Sequence, residues 1–364
     1  MKTQTYTLHL GPQHPSTHGV LHVVLELDGE NIVKSETDIG YLHRGIEKLA
    51  EGRKYPQVTP YTDRLDYLSG MSNNLVYVQT VEKMMGLEVP ERAKYIRVII
   101  SELMRIANHM VGVGIYIMDL GAVTGVFYPF MQREYVLELF SKLCGSRMTF
   151  NYMRIGGVSV DIDEDFIKGT EEFLDQLPKM LHEYHTLVDN NEIFISRTKN
   201  VGALTQAKAE NFGLTGPNLR ATGSNYDLRK VAPYEVYDRF DFNVPVGHKG
   251  DCFDRYMVRM LEIEESIKII RQALEQLPEG EAMAKVPRII KPEAGDCYHQ
   301  AENPKGILGC YIVSDGTPKP YRVHFRRPSF NNIAIFDEMA PGHKVADFIA
   351  IMASFDFVLG EVDA

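Results

Sequence analysis

Cysteine is scarce in this chain, and positive charge is in deficit. Four cysteines occur in 364 residues (Cys144, Cys252, Cys297 and Cys310), and no two form a C-x-x-C pair. So few thiols in so long a chain do not make a disulfide framework. An iron–sulfur cluster bound by this chain alone would want four cysteines, usually at short spacings. The expectation is four reduced thiols. Lys and Arg number 39 against 49 Asp and Glu, for a formal net charge of -10. That excludes a general nucleic-acid binder, which needs a basic face. The most apolar region, 96–118, still carries Arg97, Glu102, Arg105 and His109. A free-standing transmembrane helix does not tolerate four such groups. The start, Met1-Lys2, leads into a polar, β-rich stretch rather than the apolar core of a signal peptide. The expectation is a soluble chain whose membrane link, if any, runs through partners.

What is present is ordinary: 44% hydrophobic and 24% charged residues, a globular composition with enough length for a large core or two fused domains. Residues 4–35 alternate like strands, with Asp28-Gly29 as a hairpin turn and 11–19 as a Gly-, Pro- and His-rich loop. From Arg44 the period becomes helical. Helices are predicted over 44–52, over 62–86 closed by Gly86, and from Pro90 to about Gly121. Further helices are predicted over 132–144, over 163–188 with a break or bend at Pro178, and over 250–277. Residues 278–305 read as a linker, 307–313 and 321–326 as strands about the turn Ser314-Asp-Gly-Thr-Pro318, and 340–354 as a last helix. The fold class is α+β, in three parts: a β-sheet domain 1–43, a helical bundle 44–280, and a linker with C-terminal strands and helix 281–364.

Taken alone, the chemistry-bearing residues have plain readings. His14 and His18 suggest a metal, but no third ligand accompanies them, and a surface or capped loop fits the spacing better. Tyr67 reads as a core tyrosine on the 62–86 helix. Arg44 and Arg64 read as charges on a solvated face. Asp119 reads as a solvated carboxylate, although a negative charge at a helix C-terminus opposes the helix dipole.

Two motifs change this. Arg44-Gly45-Ile46-Glu47, followed by Arg64-Leu65-Asp66-Tyr67-Leu68-Ser69, resembles the first metal-site motif of the [NiFe]-hydrogenase large subunit, with Asp66 and Ser69 at its two cysteine positions. Asp356-Phe357-Val358-Leu359-Gly360-Glu361 resembles the second, with Val358 and Glu361 in place of its cysteines. Nickel there is held by thiolates, which suit a soft metal, so the inherited scaffold cannot hold that site. The combination resembles the family of the quinone-site, 49 kDa-type D subunit of respiratory complex I, the proton-pumping NADH:quinone oxidoreductase. The likeness covers nearly the whole chain and includes Gly11-Pro-Gln-His-Pro-Ser-Thr-His-Gly19, Gly40-Tyr-Leu-His-Arg-Gly45, Asn151-Tyr-Met-Arg-Ile-Gly-Gly157, Leu219-Arg-Ala-Thr-Gly223, Tyr226-Asp-Leu-Arg229, Gly250-Asp-Cys-Phe-Asp-Arg255 and Val358-Leu-Gly-Glu-Val-Asp363.

The resemblance implies a hydrogenase-large-subunit-like fold and a chain that forms half of a quinone-reduction site, inactive in isolation. It implies that His18 and Tyr67 hydrogen-bond the two quinone carbonyls, with Asp119 orienting His18 and relaying charge. It places Arg44 and Arg64 beside a terminal 4Fe-4S cluster on a partner, the B subunit, and implies further contacts with the C, I and H subunits. No cofactor is bound by this chain alone. The expected location is peripheral, on the cytoplasmic side of the cell membrane. The donor, whether NADH, reduced deazaflavin or ferredoxin, stays open, and so does the quinone type. Two positions depart from the family. Thr149 stands where relatives carry a histidine that hydrogen-bonds the cluster, which implies a lower potential that varies less with pH. Phe357 stands for a usual proline and is expected to reshape a C-terminal strand. Two other readings are weighed. A [NiFe] hydrogenase is disfavoured by the missing thiolates. A non-catalytic scaffold is disfavoured by the presence of His18, Tyr67 and Asp119.

Overall fold

The computed structural model describes residues 5–364; the first four, which carry the polar start and the opening of the expected N-terminal domain, lie outside the described residues. The chain opens with an antiparallel sheet of β1 (Tyr6–Leu10), β2 (His22–Asp28) and β3 (Asn31–Asp38). Val23, Leu25 and Leu27 of β2 turn inward while their neighbours face out, the two-residue alternation of a half-buried strand. The loop between β1 and β2 is the 11–19 segment.

A bundle follows: α1 (Ile46–Glu51), α2 (Tyr55–Thr62), α3 (Gly70–Met85), α4 (Glu91–Asp119), α5 (Phe127–Cys144) and α6 (Glu164–Val188). Between α5 and α6 lies a short hairpin of β4 (Met153–Arg154) and β5 (Gly157–Val158). Short helices α7 (Glu192–Thr198), α8 (Gln206–Asn211), α9 (Pro217–Arg220) and α10 (Leu228–Val231) lead to α11 (Cys252–Glu275). A second antiparallel sheet is made by β6 (Gly295–Asn303), β7 (Gly306–Ser314) and β8 (Arg322–Arg326). The chain closes with α12 (Pro328–Ile333), α13 (Phe336–Met339), α14 (Val345–Phe355) and α15 (Leu359–Val362). The architecture is α+β, and buried apolar residues from Leu10 to Ala364 form one contiguous cluster. The four cysteines are unpaired.

Several expectations need correction. The helix predicted over 62–86 begins only at Gly70, as α3, and a turn at 63–69 separates it from α2. Asp66 Oδ1 accepts the Leu68 amide at 3.0 Å, and Asp63 accepts the Asn151 amide at 3.1 Å. Such side-chain bonds compete with the helical ladder. Pro178 does not break α6. A proline removes the bond to the carbonyl four residues back; here that carbonyl, Leu174, accepts instead from Arg271 of α11 at 3.0 Å. The stretch 278–305 contains β6, paired with β7 from Gly295↔Ser314 to Asn303↔Gly306. The final helix, expected over 340–354, begins only at Val345, as α14. Residues 356–358 form no strand: Asp356 ends α14 in the left-handed region, at φ 52.

The apolar helix α4 has the length and composition of a membrane span, but its most apolar window is 94% buried inside the protein. Its charges are paired there. Arg97 meets Glu82 at 2.6 Å and Glu235 at 3.0 Å. Glu102 meets Arg105 and Arg229, both at 3.2 Å. His109 meets Glu262 at 2.8 Å, and Glu262 meets Arg220 at 2.8 Å. Burial alone would raise the Glu262 carboxyl, but Arg220 and His109 outweigh it and hold the group ionised.

Candidate functional site

The 11–19 loop carries the first candidate. Pro15 opens a single 3₁₀ turn, Pro15–Thr17, capped by His14, whose Nδ1 accepts the Ser16 amide at 3.2 Å. Thr17 donates to the His14 carbonyl at 2.7 Å. His18 leaves the turn in the left-handed region (φ 50, ψ 40). Its Nε2 lies 2.9 Å from Asp119 Oδ2, at the last residue of α4, with the two side chains only 12% and 9% exposed. The two loop histidines therefore serve different partners and do not converge on one point. The two atoms are at ion-pair distance without hydrogen-bonding alignment: each is buried with no hydrogen-bond partner among the described residues. The negative charge at the α4 C-terminus, unfavourable toward the dipole, is answered by this contact.

The turn 63–69 carries the second. Tyr67 is in this turn and not on a helix, which corrects the expectation. It is half-buried, and its hydroxyl has no hydrogen-bond partner among the described residues. Burial, followed by the negative charge of Asp66, pushes its phenol above the usual value, so the group keeps its proton. Asp66 is fully buried. Its Oδ2 accepts from Asn108 of α4 at 3.2 Å and lies 4.0 Å from Lys305.

The C-terminal segment 356–361 joins the two. At one position, the Phe357 ring sits 5.3 Å from the His18 ring and 5.6 Å from Phe336. At another, Gly360 packs against the 64–65 backbone; a Cβ there would come within 2.8 Å of the Leu65 carbonyl oxygen, so only glycine fits. Asp356 pairs with Lys305 at 2.8 Å, and its carboxylate lies where a Cβ on Gly112 of α4 would be, at 2.7 Å. Burial would raise Asp356, but Lys305 and Arg259 outweigh it and hold it below the ordinary range. Glu361 is also fully buried. Its Oε2 accepts the Ser329 amide at 2.9 Å, and no cation among the described residues lies within ion-pair distance of its carboxylate. Burial, and then the charge of Asp66, pushes it up to about 7.

Arg44 and Arg64 come together on this same edge. Arg44 Nη2 donates to the carbonyls of Arg64 and Gly360, both at 2.6 Å, which ties the 44–47 motif to both changed metal-site motifs. Thr149 lies in the segment before β4, next to Phe150 and Asn151, and this segment packs on the 63–70 turn through the Asp63–Asn151 bond. Burial pushes Asp63 up to about 6. Among the described residues no group of three or more His, Cys, Asp or Glu is arranged to hold a metal ion. The four cysteines are spread over α5, α11, β6 and β7.

Sequence reasoning misses Lys305 and Asn108, which sit between Asp66 and Asp356. It leaves Lys305 in a linker. Asn303-Pro304-Lys305-Gly306 is in fact a two-residue hairpin connection between β6 and β7, and proline second with glycine fourth is a turn signature that could have found it. Nothing local announces that this turn is buried.

Known proteins match this chain along its whole length. The family model for the respiratory-chain NADH dehydrogenase, 49 Kd subunit, matches residues 119–294 and 286–364. The D subunit of a NADH-quinone oxidoreductase from Desulforamulus reducens is 58% identical over 364 residues, 100% of both chains. Its counterpart from Clostridium beijerinckii is 58% identical over 363 residues, covering 98% of that protein, and one from Bacillus cereus is 52% identical over its full length. The chain belongs to the family of the 49 kDa, or D, subunit of the respiratory-chain NADH dehydrogenase.

Proposed function

We propose that this chain forms half of the quinone-reduction site of a proton-pumping NADH:quinone oxidoreductase, and has no activity in isolation. The observation that carries the reading is the His18–Asp119 approach at 2.9 Å where Phe357 packs on His18, with the unpartnered Tyr67 in the turn whose 64–65 backbone packs on Gly360. A quinone taking two electrons needs two protons. Tyr67 supplies a phenol that stays protonated until a strongly basic oxygen forms. His18 supplies an imidazole held in place by Asp119. Asp119 loses its ion-pair partner when His18 gives up a proton, and that change of charge is the signal for proton translocation in the membrane arm.

Electrons are supplied by a 4Fe-4S cluster on the B subunit, docked at the Arg44–Arg64 edge with Thr149 nearby. The C, I and H subunits complete the surroundings, and the complex lies peripherally on the cytoplasmic face of the cell membrane. The division into a sheet domain 1–43, a bundle 44–280 and a C-terminal part 281–364 gives each catalytic side chain its own support: His18 on the first, Tyr67 and Asp119 on the second, and the joining segment on the third.

The test is NADH:quinone reductase activity in native membranes carrying Tyr67→Phe, with assembly checked on a native gel. We expect quinone reduction to fall roughly a hundredfold while NADH oxidation by an artificial acceptor survives. Unchanged quinone reduction would make Tyr67 a packing residue and favour the scaffold reading.

A further inference from the structure

We propose that His9 and His22 form a proton-operated latch at the neck of the 11–19 loop, and that the latch positions His18 for quinone reduction only while the pair carries at most one positive charge. This rests on the reading of His18 above. His9 is on β1, just before the loop, and His22 opens β2, just after it. The ladder sets His9 opposite Val24 and ends at Leu10↔Val23, so the two imidazoles are diagonal neighbours on one face of the sheet. It is the outer face, since Val23 and Leu25 turn to the core, and His9 is exposed there to solvent protons. Within the neck, a Cβ on Gly11 would overlap the Leu21 carbonyl oxygen, so the two chain ends leave the ladder in close contact.

Each link of the latch is a direct contact. His9 Nδ1 lies 3.0 Å from His22 Nε2, and the two rings differ in plane by only 10° with centroids 5.2 Å apart. The other nitrogen of His22, Nδ1, lies 3.2 Å from Asp38 Oδ2 at the end of β3. The Tyr41 hydroxyl donates to the same oxygen at 3.1 Å. Hydrogen bonds from His22, and then from Tyr41, hold Asp38 below the ordinary carboxylate range, so it is an acceptor at neutral pH. Tyr41 is fixed in turn by Asp363, which accepts the amides of its neighbours Gly40 and Leu42 at 2.9 and 2.7 Å. The other charged groups on this face are Glu26 on β2 and Lys34 and Glu36 on β3, the last two paired at 3.8 Å. Among the described residues, Asp38 alone lies within ion-pair distance of either ring.

A bond between two imidazoles needs one N–H and one bare nitrogen. With both rings neutral, His9 Nδ1–H donates to His22 Nε2, and His22 Nδ1–H donates to Asp38. One proton from water adds to the far nitrogen of His9 and leaves both bonds intact. A second adds to His22 Nε2. Both facing nitrogens then carry hydrogen, neither accepts, and two positive charges face each other across the strands, which is destabilising. Imidazole is the side chain that changes charge near neutral pH, so acidification opens the latch. The neck is then freed, and with it the setting of His18 against Asp119 and Phe357.

The experiment uses the intact complex in native membranes. The quantity is kcat/KM for NADH:quinone reduction, divided by the rate of NADH oxidation with an artificial acceptor, followed from about pH 8 to about pH 5.5. The wild-type ratio should fall about fivefold on acidification, the size of a like-charge pair across strands. His9→Gln keeps a donor for His22 Nε2 and takes up no proton; it should retain most of the neutral-pH rate and lose the acid decline. His9→Phe keeps the bulk without the bond, and should be slow at every pH. An acid decline in His9→Gln equal to that of the wild type overturns the proposal. Deuterium exchange of the 10–21 amides in the complex, corrected for the intrinsic effect of pH, reads the latch without quinone chemistry and decides should the variants not assemble. Wild-type protection should drop on acidification; unchanged protection overturns the latch. A loop that loosens in acid, beside a Tyr67→Phe complex of unchanged activity, keeps the latch and overturns the site reading. A loop that stays closed, beside a collapse in Tyr67→Phe, overturns the latch and keeps the site.

Discussion

Two buried ionic networks flank α4, and they differ in how their last carboxylate is held. Along the α4–α11 contact, Glu302 and Glu235 are both pushed up by burial, yet each still touches a guanidinium: Arg220 at 2.8 Å and Arg97 at 3.0 Å. At the site, Glu361 is pushed up as well, to about 7, but it bonds Ser329 and touches no cation among the described residues. Burial alone therefore does not mark a functional carboxyl. What separates the two regions is whether a cation is in direct contact. The first network is closed by direct ion pairs; the second leaves Glu361 without one.

The comparison breaks most sharply at Glu262. Glu262→Ala would strand Arg220 and His109 without their common partner in the core, a change that costs about 3–5 kcal/mol when one side of a buried pair is removed. Loss of the assembled complex on a native gel, or a much lowered thermal midpoint, is the expected result; a stable Ala variant would mean the network is not structural.

Glu361 should behave differently, in a pH-dependent way. Its folded-state value, about 7, lies above its ordinary 4.5. The folded chain therefore binds this proton more tightly than the unfolded one, and the stability it contributes is fully present below 4.5 and lost as pH rises through 7. The span corresponds to about 3 kcal/mol. Glu361→Gln should flatten this part of the stability profile: the wild type loses thermal midpoint between those pH values relative to the variant. Parallel curves would show that Glu361 is ionised throughout.

The smallest effect is expected at Thr149, outside both networks. Thr149→His should leave stability within ~0.5 kcal/mol, as surface changes usually do. If a partner's cluster docks at this edge as proposed, the substitution should raise that cluster's potential and give it a steeper pH slope, through the added titrating cation. A redox titration of the wild type that already slopes strongly near neutral pH would defeat the idea.

Much of this fold is legible in the sequence. The hairpin at Asp28-Gly29 and the apolar periodicity of α4 are plain because local pattern and final packing agree there. Where tertiary contacts override the local pattern, reading fails. Asp63 and Asp66 interrupt a helix by bonding Asn151 and the Leu68 amide. Pro178 is tolerated because Arg271, from a helix far along the chain, bonds the Leu174 carbonyl that it leaves free. The candidate side chains His18, Tyr67 and Asp119 come from resemblance to a family; their spacing alone favours core or surface roles. Phe357 stands out as a departure, but its contact with His18 is invisible in a sequence where the two stand at opposite ends. Lys305 escapes notice because a hairpin turn normally faces water, and this one is driven into the core.

The helix α4 also acts mechanically. Asn108, which touches Asp66, and Asp119, which touches His18, lie on the same uninterrupted helix. Eleven residues of α-helix separate them and span about 16 Å. The helix is thereby a ruler with a site residue held at each of two marks. Any tilt or slide that re-seats one mark must carry the other with it, so the two ends of the site keep a common clock.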